Sequence, residues 1–193
     1  MTPSSLRASI PKSSWAEIAL LEPPRLTKIE KLVGEAFVAE LSAASGVQWV
    51  PFEFEAKLAD AVFEVLGPSA TRALYRRKTV RSFEIPLIRP ILQSSLRIFG
   101  ATPASILKMV GRTWALVSRN SGSYDCVDES DQRRATSVVR DFPARLYRRR
   151  EAWLETAMGG YEAFFAPFKL GKGTVRVIER DFTTGSASFV LEW

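Results

Sequence analysis

The sequence predicts an α+β fold, with about five N-terminal helices packed on a largely antiparallel four-stranded sheet that carries one long helix. Three observations predict it. Apolar residues recur every three to four positions through residues 25–119, the spacing of buried helical stripes. After Asn120-Ser121-Gly122 that period gives way to β-branched residues broken by turn signals. Phe142 to Trp193 then reads as a helix followed by two strands, so the helix lies between two hairpins. The expected organisation is an arm over residues 1–24, flexible or lying along the surface, and one domain over residues 25–193. Its helical part is 25–119 and its hairpin–helix–hairpin part 120–193.

In the arm, Pro3, Pro11, Pro23 and Pro24 argue against regular structure, with Trp15 and Ile18 to Leu21 as anchors. A first helix is expected from Arg25 to Ala44, its stripe being Leu26, Ile29, Val33, Phe37 and Leu41, closed by Ser45-Gly46. Trp49 to Pro51 leads into a second helix whose inner face holds Phe54, Leu58, Ala61, Val62, Val65 and Leu66. Gly67-Pro68 stops it, and Ser69 caps a short third helix through Tyr75. Ile85 to Phe99 is apolar along one side, with Pro86 suiting a helix start and a kink or a second start expected at Pro90. Thr102-Pro103 opens a fifth helix as cap and first turn, with the seam Ile106, Met109, Val110, Trp114 and Val117.

Ser123 to Val127 and Arg133 to Arg140 read as a strand pair around the acidic turn Asp128-Glu129-Ser130-Asp131. The long helix is expected from Ala144 to about Phe168, then a turn at Gly171-Lys172-Gly173. A last hairpin, Val175 to Phe182 and Ser186 to Trp193, turns at Thr183-Thr184-Gly185.

Composition bounds the chemistry. With 46% hydrophobic residues, five Trp and twelve Phe in 193 residues, the chain can bury a core without disulfides. One cysteine, Cys126, fits a reducing cytosol, and neither a secretory leader nor a membrane span is expected. The net charge of +6, from 27 Lys and Arg against 21 acids, favours anionic partners. There is no histidine, which removes Ser–His and Cys–His nucleophiles and histidine-held haem, zinc or iron. Gly171-Lys172-Gly173-Thr174 fails as a phosphate loop because Gly173 stands where Ser or Thr is required. The cluster Asp125, Asp128, Glu129 and Asp131 lacks the spacing of a calcium loop.

Several stretches together resemble a family of proteins of unknown function that is expanded in myxobacteria. They are Val50-Pro51-Phe52-Glu53-Phe54, then Phe99-Gly100-Ala101-Thr102-Pro103-Ala104-Ser105-Ile106-Leu107, then Asn120 to Tyr124, Phe142-Pro143 and Val190-Leu191-Glu192-Trp193. The resemblance covers roughly residues 47–193 and departs from the pattern at Arg81 to Pro90. By layout alone that family is similar to ligand-binding domains of the vinyl-reductase-like and haem nitric-oxide-binding type. The resemblance implies a small-ligand sensor, with no haem role carried over because no histidine is present.

Two constellations stand out. Trp114, Tyr124, Trp153, Tyr161 and Phe164, with Phe165, would converge if the sheet packs on the long helix, lining a pocket for an apolar or aromatic small molecule. Core packing is the competing reading. Gly159 and Gly160 sit mid-helix at a cost of about 1 kcal/mol each, which close approach of another element or a ligand would offset. Arg145, Arg148 and Arg149 gather at the start of the long helix, where helix amides and guanidiniums together could hold an anion. A second basic group comprises Arg72, Arg76, Arg77, Lys78 and Arg81. The function expected is a non-enzymatic cytosolic sensor or regulatory module binding a small ligand or a partner protein, without cofactor or metal. The alternative is an anion-binding adaptor using the arginines on nucleotide, nucleic acid or acidic lipid. Nucleic acid is disfavoured, since few aromatics interleave with the bases, and a homodimer is left open.

Overall fold

The N-terminal segment is woven into the body of the protein. In the computed structural model, which describes residues 3–83, 94, 102–129, 133–168 and 173–193, Ser5–Arg7 forms strand β1. It lies between β2 (Trp49–Pro51) and β3 (Ser118–Arg119), antiparallel to both. Helix α1 (Ser9–Ile18) follows, with Leu6, Ala8 and Ile18 at 1% exposure or less. This corrects the expected arm. Pro11 falls in the first turn of α1, where its missing N–H has no intrahelical use. Lys12 Nζ also donates to the carbonyls of Ser42 and Ala44 at 3.0 and 2.6 Å, closing the end of a neighbouring helix.

That neighbour is α3 (Glu35–Ala43), which continues from α2 (Pro23–Val33). The single helix expected over Arg25–Ala44 is broken at Gly34, whose φ of 82° and ψ of 148° only glycine adopts without strain. Helix α4 (Glu53–Leu66) begins after β2 as expected. Helix α5 (Pro68–Ser82) runs seven residues past the expected end at Tyr75. Its basic turn is helical because Arg and Lys are good helix formers and because the charges find partners. Arg81 and Arg77 meet Glu17 at 2.7 and 3.7 Å, and Lys78 meets Glu55 at 2.9 Å. The expected helix Ile85–Phe99 falls almost wholly outside the described residues, as do positions 130 and 131 of the acidic turn and 171–172 of the glycine turn.

Helix α6 (Pro103–Val117) starts where Thr102-Pro103 predicts, and its first half is buried. It packs on β4 (Ser123–Glu129) through Gly111, where a Cβ would come within 2.6 Å of the Tyr124 carbonyl oxygen. Strands β4, β5 (Arg134–Arg140), β6 (Thr174–Asp181) and β7 (Ser186–Glu192) form one antiparallel sheet in the order β4-β5-β7-β6. The final turn sits at Thr183-Thr184-Gly185 as expected, with Gly185 at φ 68°. The α+β class and the four-stranded antiparallel sheet are as the sequence predicts.

The long helix is shorter at both ends than expected. Ala144–Leu146 is a 3-10 turn, Tyr147 and Arg149 have extended backbone at a bend, α7 spans Arg150–Glu162, and Ala163–Phe168 tightens to 3-10 geometry around Pro167. A buried carboxylate causes the late start. Asp60 on α4 accepts the backbone N–H groups of Arg148 and Arg149 at 2.7 and 3.0 Å, holding the strand-like lead-in. Helix α7 lies at the centre of the molecule, with α5 against one side and the sheet against another. Among the described residues no helix is long and apolar enough to cross a membrane.

Candidate functional site

Where α7 leaves α5 and meets the C-terminal half of α6, the packing opens. A cavity of about 580 Å³ lies there. Ile10 and Ser13 of α1 line it, as do Lys78, Thr79 and Ser82 of α5 with Phe83 beyond. Helix α6 contributes Met109, Val110, Thr113, Trp114, Leu116 and Val117, and β4 contributes Tyr124. Ala157, Gly160, Tyr161 and Phe164 close the far wall. Leu116, 67% exposed, stands at the rim.

The aromatic wall is held by ring contacts and hydrogen bonds. Trp114 meets Tyr124 edge to face at 4.9 Å, and Tyr161 meets Phe164 the same way at 5.7 Å. Trp114 Nε1 donates to the Ser121 carbonyl at 3.3 Å, and the Tyr161 hydroxyl pairs with Ser137 Oγ at 2.9 Å. Burial pushes the Tyr124 and Tyr161 phenols well above the ordinary tyrosine value, so both are neutral hydroxyls. Gly160 leaves room in the wall, because a Cβ there would meet only Thr79 Oγ1, at 3.8 Å. Gly159 does different work. A Cβ on it would fall 2.3 Å from the Arg72 carbonyl oxygen, so this glycine lets α5 and α7 touch.

Four of the five aromatic residues singled out in the sequence, Trp114, Tyr124, Tyr161 and Phe164, therefore surround one space. Trp153 does not. It is 1% exposed and stacks on Phe142 at 4.7 Å with rings 8° from parallel, while Phe182 meets its edge at 6.2 Å. Sequence reasoning missed Ile10, Ser13, Phe83 and Lys78 as wall residues. A signal existed for Lys78, which continues the α5 stripe Thr71, Leu74 and Tyr75 by helical spacing, placing a lysine on a buried face.

The arginines are arranged differently from an anion cradle. The backbone amides of Arg148 and Arg149, just ahead of α7, meet Asp60, and the side chains of the same two residues both reach Glu64 Oε2, at 3.0 and 3.1 Å. Arg145 lies apart, in a groove beside Asn120, Asp141 and Thr183. In the second basic group Arg72 bonds Glu155 at 2.7 Å, alongside the pairs of Arg77, Lys78 and Arg81 described above.

The fold has clear counterparts among solved structures. Over 96% of this chain and 93% of that one, the structure superposes at a TM-score of 0.61 and 12% identity on an oxygen-binding H-NOX domain related to soluble guanylate cyclases. An Fe(II) unliganded mutant H-NOX protein of K. algicida gives 0.61 and 10% over 97% and 95% of the two chains. A mutant H-NOX of T. tengcongensis gives 0.60 and 10% over 96% and 95%. No protein-family model matches the chain, and no curated protein matches it. The chain thus has the fold of the H-NOX, or haem nitric-oxide-binding, domains.

That likeness raises haem directly, and the residues present do not fit it. The chain has no histidine to ligate iron. Cys126 is not among the wall residues, and burial pushes its thiol up to about 11, away from the thiolate that binds metal. The wall phenols are held neutral, the Lys78 amine is paired with Glu55, and Met109 offers only a thioether, which haem proteins combine with histidine. Among the described residues no group of three or more Cys, Asp or Glu could hold a metal ion.

Proposed function

We propose that this protein is a small-ligand-binding sensor module, whose cavity between α1, α5, α6, α7 and β4 takes an apolar molecule without chemistry of its own. The cavity is the observation that carries the reading. The space is a cleft open to solvent, and a concave, largely apolar surface with a few polar groups is the usual form of a small-molecule site. Here a space of about 580 Å³ has a mostly aromatic and aliphatic wall, in the size range of small-molecule sites. The H-NOX likeness supports the reading, because a counterpart with this fold is an oxygen-binding domain. Protonated phenols and an inert thiol support binding rather than reaction. The single cysteine suits a reducing compartment.

Gly160→Leu tests it, since the new side chain would grow from the wall into the space. The neutral dye Nile red, which brightens in apolar surroundings, should bind the wild type saturably with one dye per chain. Binding should weaken markedly in Gly160→Leu while circular dichroism stays that of a folded protein. Equal binding by both proteins, or none by the wild type, would overturn the proposal.

A further inference from the structure

The polar groups of the cavity wall say what kind of molecule it accepts, given the ligand-binding reading on which this step rests. Ser13 Oγ donates to the Ile10 carbonyl and Ser82 Oγ to the Thr79 carbonyl, both at 2.7 Å. Thr113 Oγ1 donates to the Met109 carbonyl at 2.9 Å. These hydroxyl protons are spent on their own helices. With Trp114 Nε1 also engaged and the Tyr161 hydroxyl paired with Ser137, Lys78, Thr79 and Tyr124 remain among the described wall residues, and of these only Lys78 carries charge.

Lys78 is not a free cation. Its ammonium meets the buried Glu55 carboxylate at 2.9 Å, and Ser14 Oγ fixes that carboxylate from the other side at 2.8 and 2.9 Å. The ion pair is neutral as a unit. Arg77 and Arg81 answer Glu17 and do not line the cavity. An ammonium has three donors and Glu55 takes one; the Tyr75 ring lies 5.1 Å away on the helix side, and Lys78, a wall residue, keeps up to two donors for a ligand. An anionic ligand would leave one uncompensated negative charge in apolar surroundings, which is costly. A neutral oxygen acceptor would take the spare N–H groups with no net charge buried.

We propose that the cavity selects a neutral, apolar molecule bearing one carbonyl-type oxygen (a ketone, quinone, ester or lactone), bound by the spare Lys78 donors, and that Glu55 is the residue that excludes carboxylates. Three related fluorescent naphthalenes serve as probes: the dimethylamino propionyl ketone, the corresponding naphthoate, and the parent dimethylaminonaphthalene with neither group. The ketone should bind the wild type about tenfold more tightly than the parent, the value of a hydrogen bond to a charged donor. The naphthoate should bind most weakly.

Lys78→Met alone strands Glu55 and can unfold the protein, so the informative variant is Lys78→Met/Glu55→Gln, which removes both charges together. In it the ketone should fall to the affinity of the parent. Glu55→Gln alone leaves Lys78 unneutralised, and should reverse the preference towards the naphthoate. If the three probes bind alike and the double variant changes nothing, the cavity reading stands and this inference is overturned. A naphthoate that binds the wild type tightest overturns it too. If none of the probes binds the wild type, the cavity reading itself fails.

Discussion

Two aromatic clusters lie along α7, one around Trp153 near its start and one around Tyr161 near its end, built from similar residue types but packed differently. Around Trp153, the rings of Phe142, Tyr147, Phe52 and Phe182 contact one another at centroid distances of 4.7–6.4 Å, and Trp153 is 1% exposed. Around Tyr161, the rings of Trp114, Tyr124 and Phe164 stand at the edge of an open space. Aromatic content alone therefore does not mark a pocket. What separates the clusters is the partner facing each ring. Trp153 has Phe142 lying flat against it, whereas Trp114, edge-on to Tyr124, and Tyr161, packed on Phe189 at 4.9 Å, each also border a gap beside Gly160.

Substitutions should divide along that line. The largest effect is expected from Trp153→Ala, which removes a buried ring stacked on Phe142 and met edge-on by Phe182, and should cost about 3–5 kcal/mol of unfolding free energy. Trp114→Ala should cost less, about 1–2 kcal/mol, because its ring already lacks neighbours on one side. Urea titration of both variants checks the pair, and equal losses would mean that the two clusters are packed alike.

The adjacent glycines of α7 sharpen the contrast. Gly159→Ala pushes a methyl onto the α5 backbone at Arg72, so about 1–3 kcal/mol of destabilisation is expected. Gly160→Ala points towards the space and should stabilise by about 0.5–1 kcal/mol through helix propensity. Thermal melts of the two single variants should move in opposite directions.

The smallest effect concerns where the cavity ends. Cys126 lies two residues from Tyr124 on β4 and so on the same face of the strand. Its thiol is pushed up to about 11 by burial and by Asp128. Alkylation with iodoacetamide at pH 8 should be roughly tenfold to a hundredfold slower than for an unperturbed thiol. Labelling at an ordinary rate would mean that the space, with its solvent, reaches that far along β4.

Much of this architecture was legible in local signals. Thr102-Pro103 marks the start of α6, Thr183-Thr184-Gly185 the last turn, and the change of period after Gly122 the start of the sheet. The misreadings share a cause in long-range pairing. β1 is a strand because Trp49–Pro51 and Ser118–Arg119 flank it, and prolines in residues 1–24 gave no hint of partners so distant. The start of α7 is delayed by Asp60, about ninety residues upstream, which also fills the place proposed for an anion. Trp153 and Tyr161 could not be sorted because α7 is buried on several faces, so its periodicity has no single inner side. Lys78 was readable as part of a basic run but not as a wall residue, since its neutralising partner Glu55 comes from another helix.

The most direct test of the two-cluster account is a crystal pressurised with xenon, which settles in dry apolar cavities. The account predicts density for xenon, or for an apolar molecule carried through purification, bounded by Trp114, Tyr124, Tyr161 and Gly160, and none beside Trp153. Side chains closed over that space with no density inside, or xenon lodged against Trp153, would contradict it.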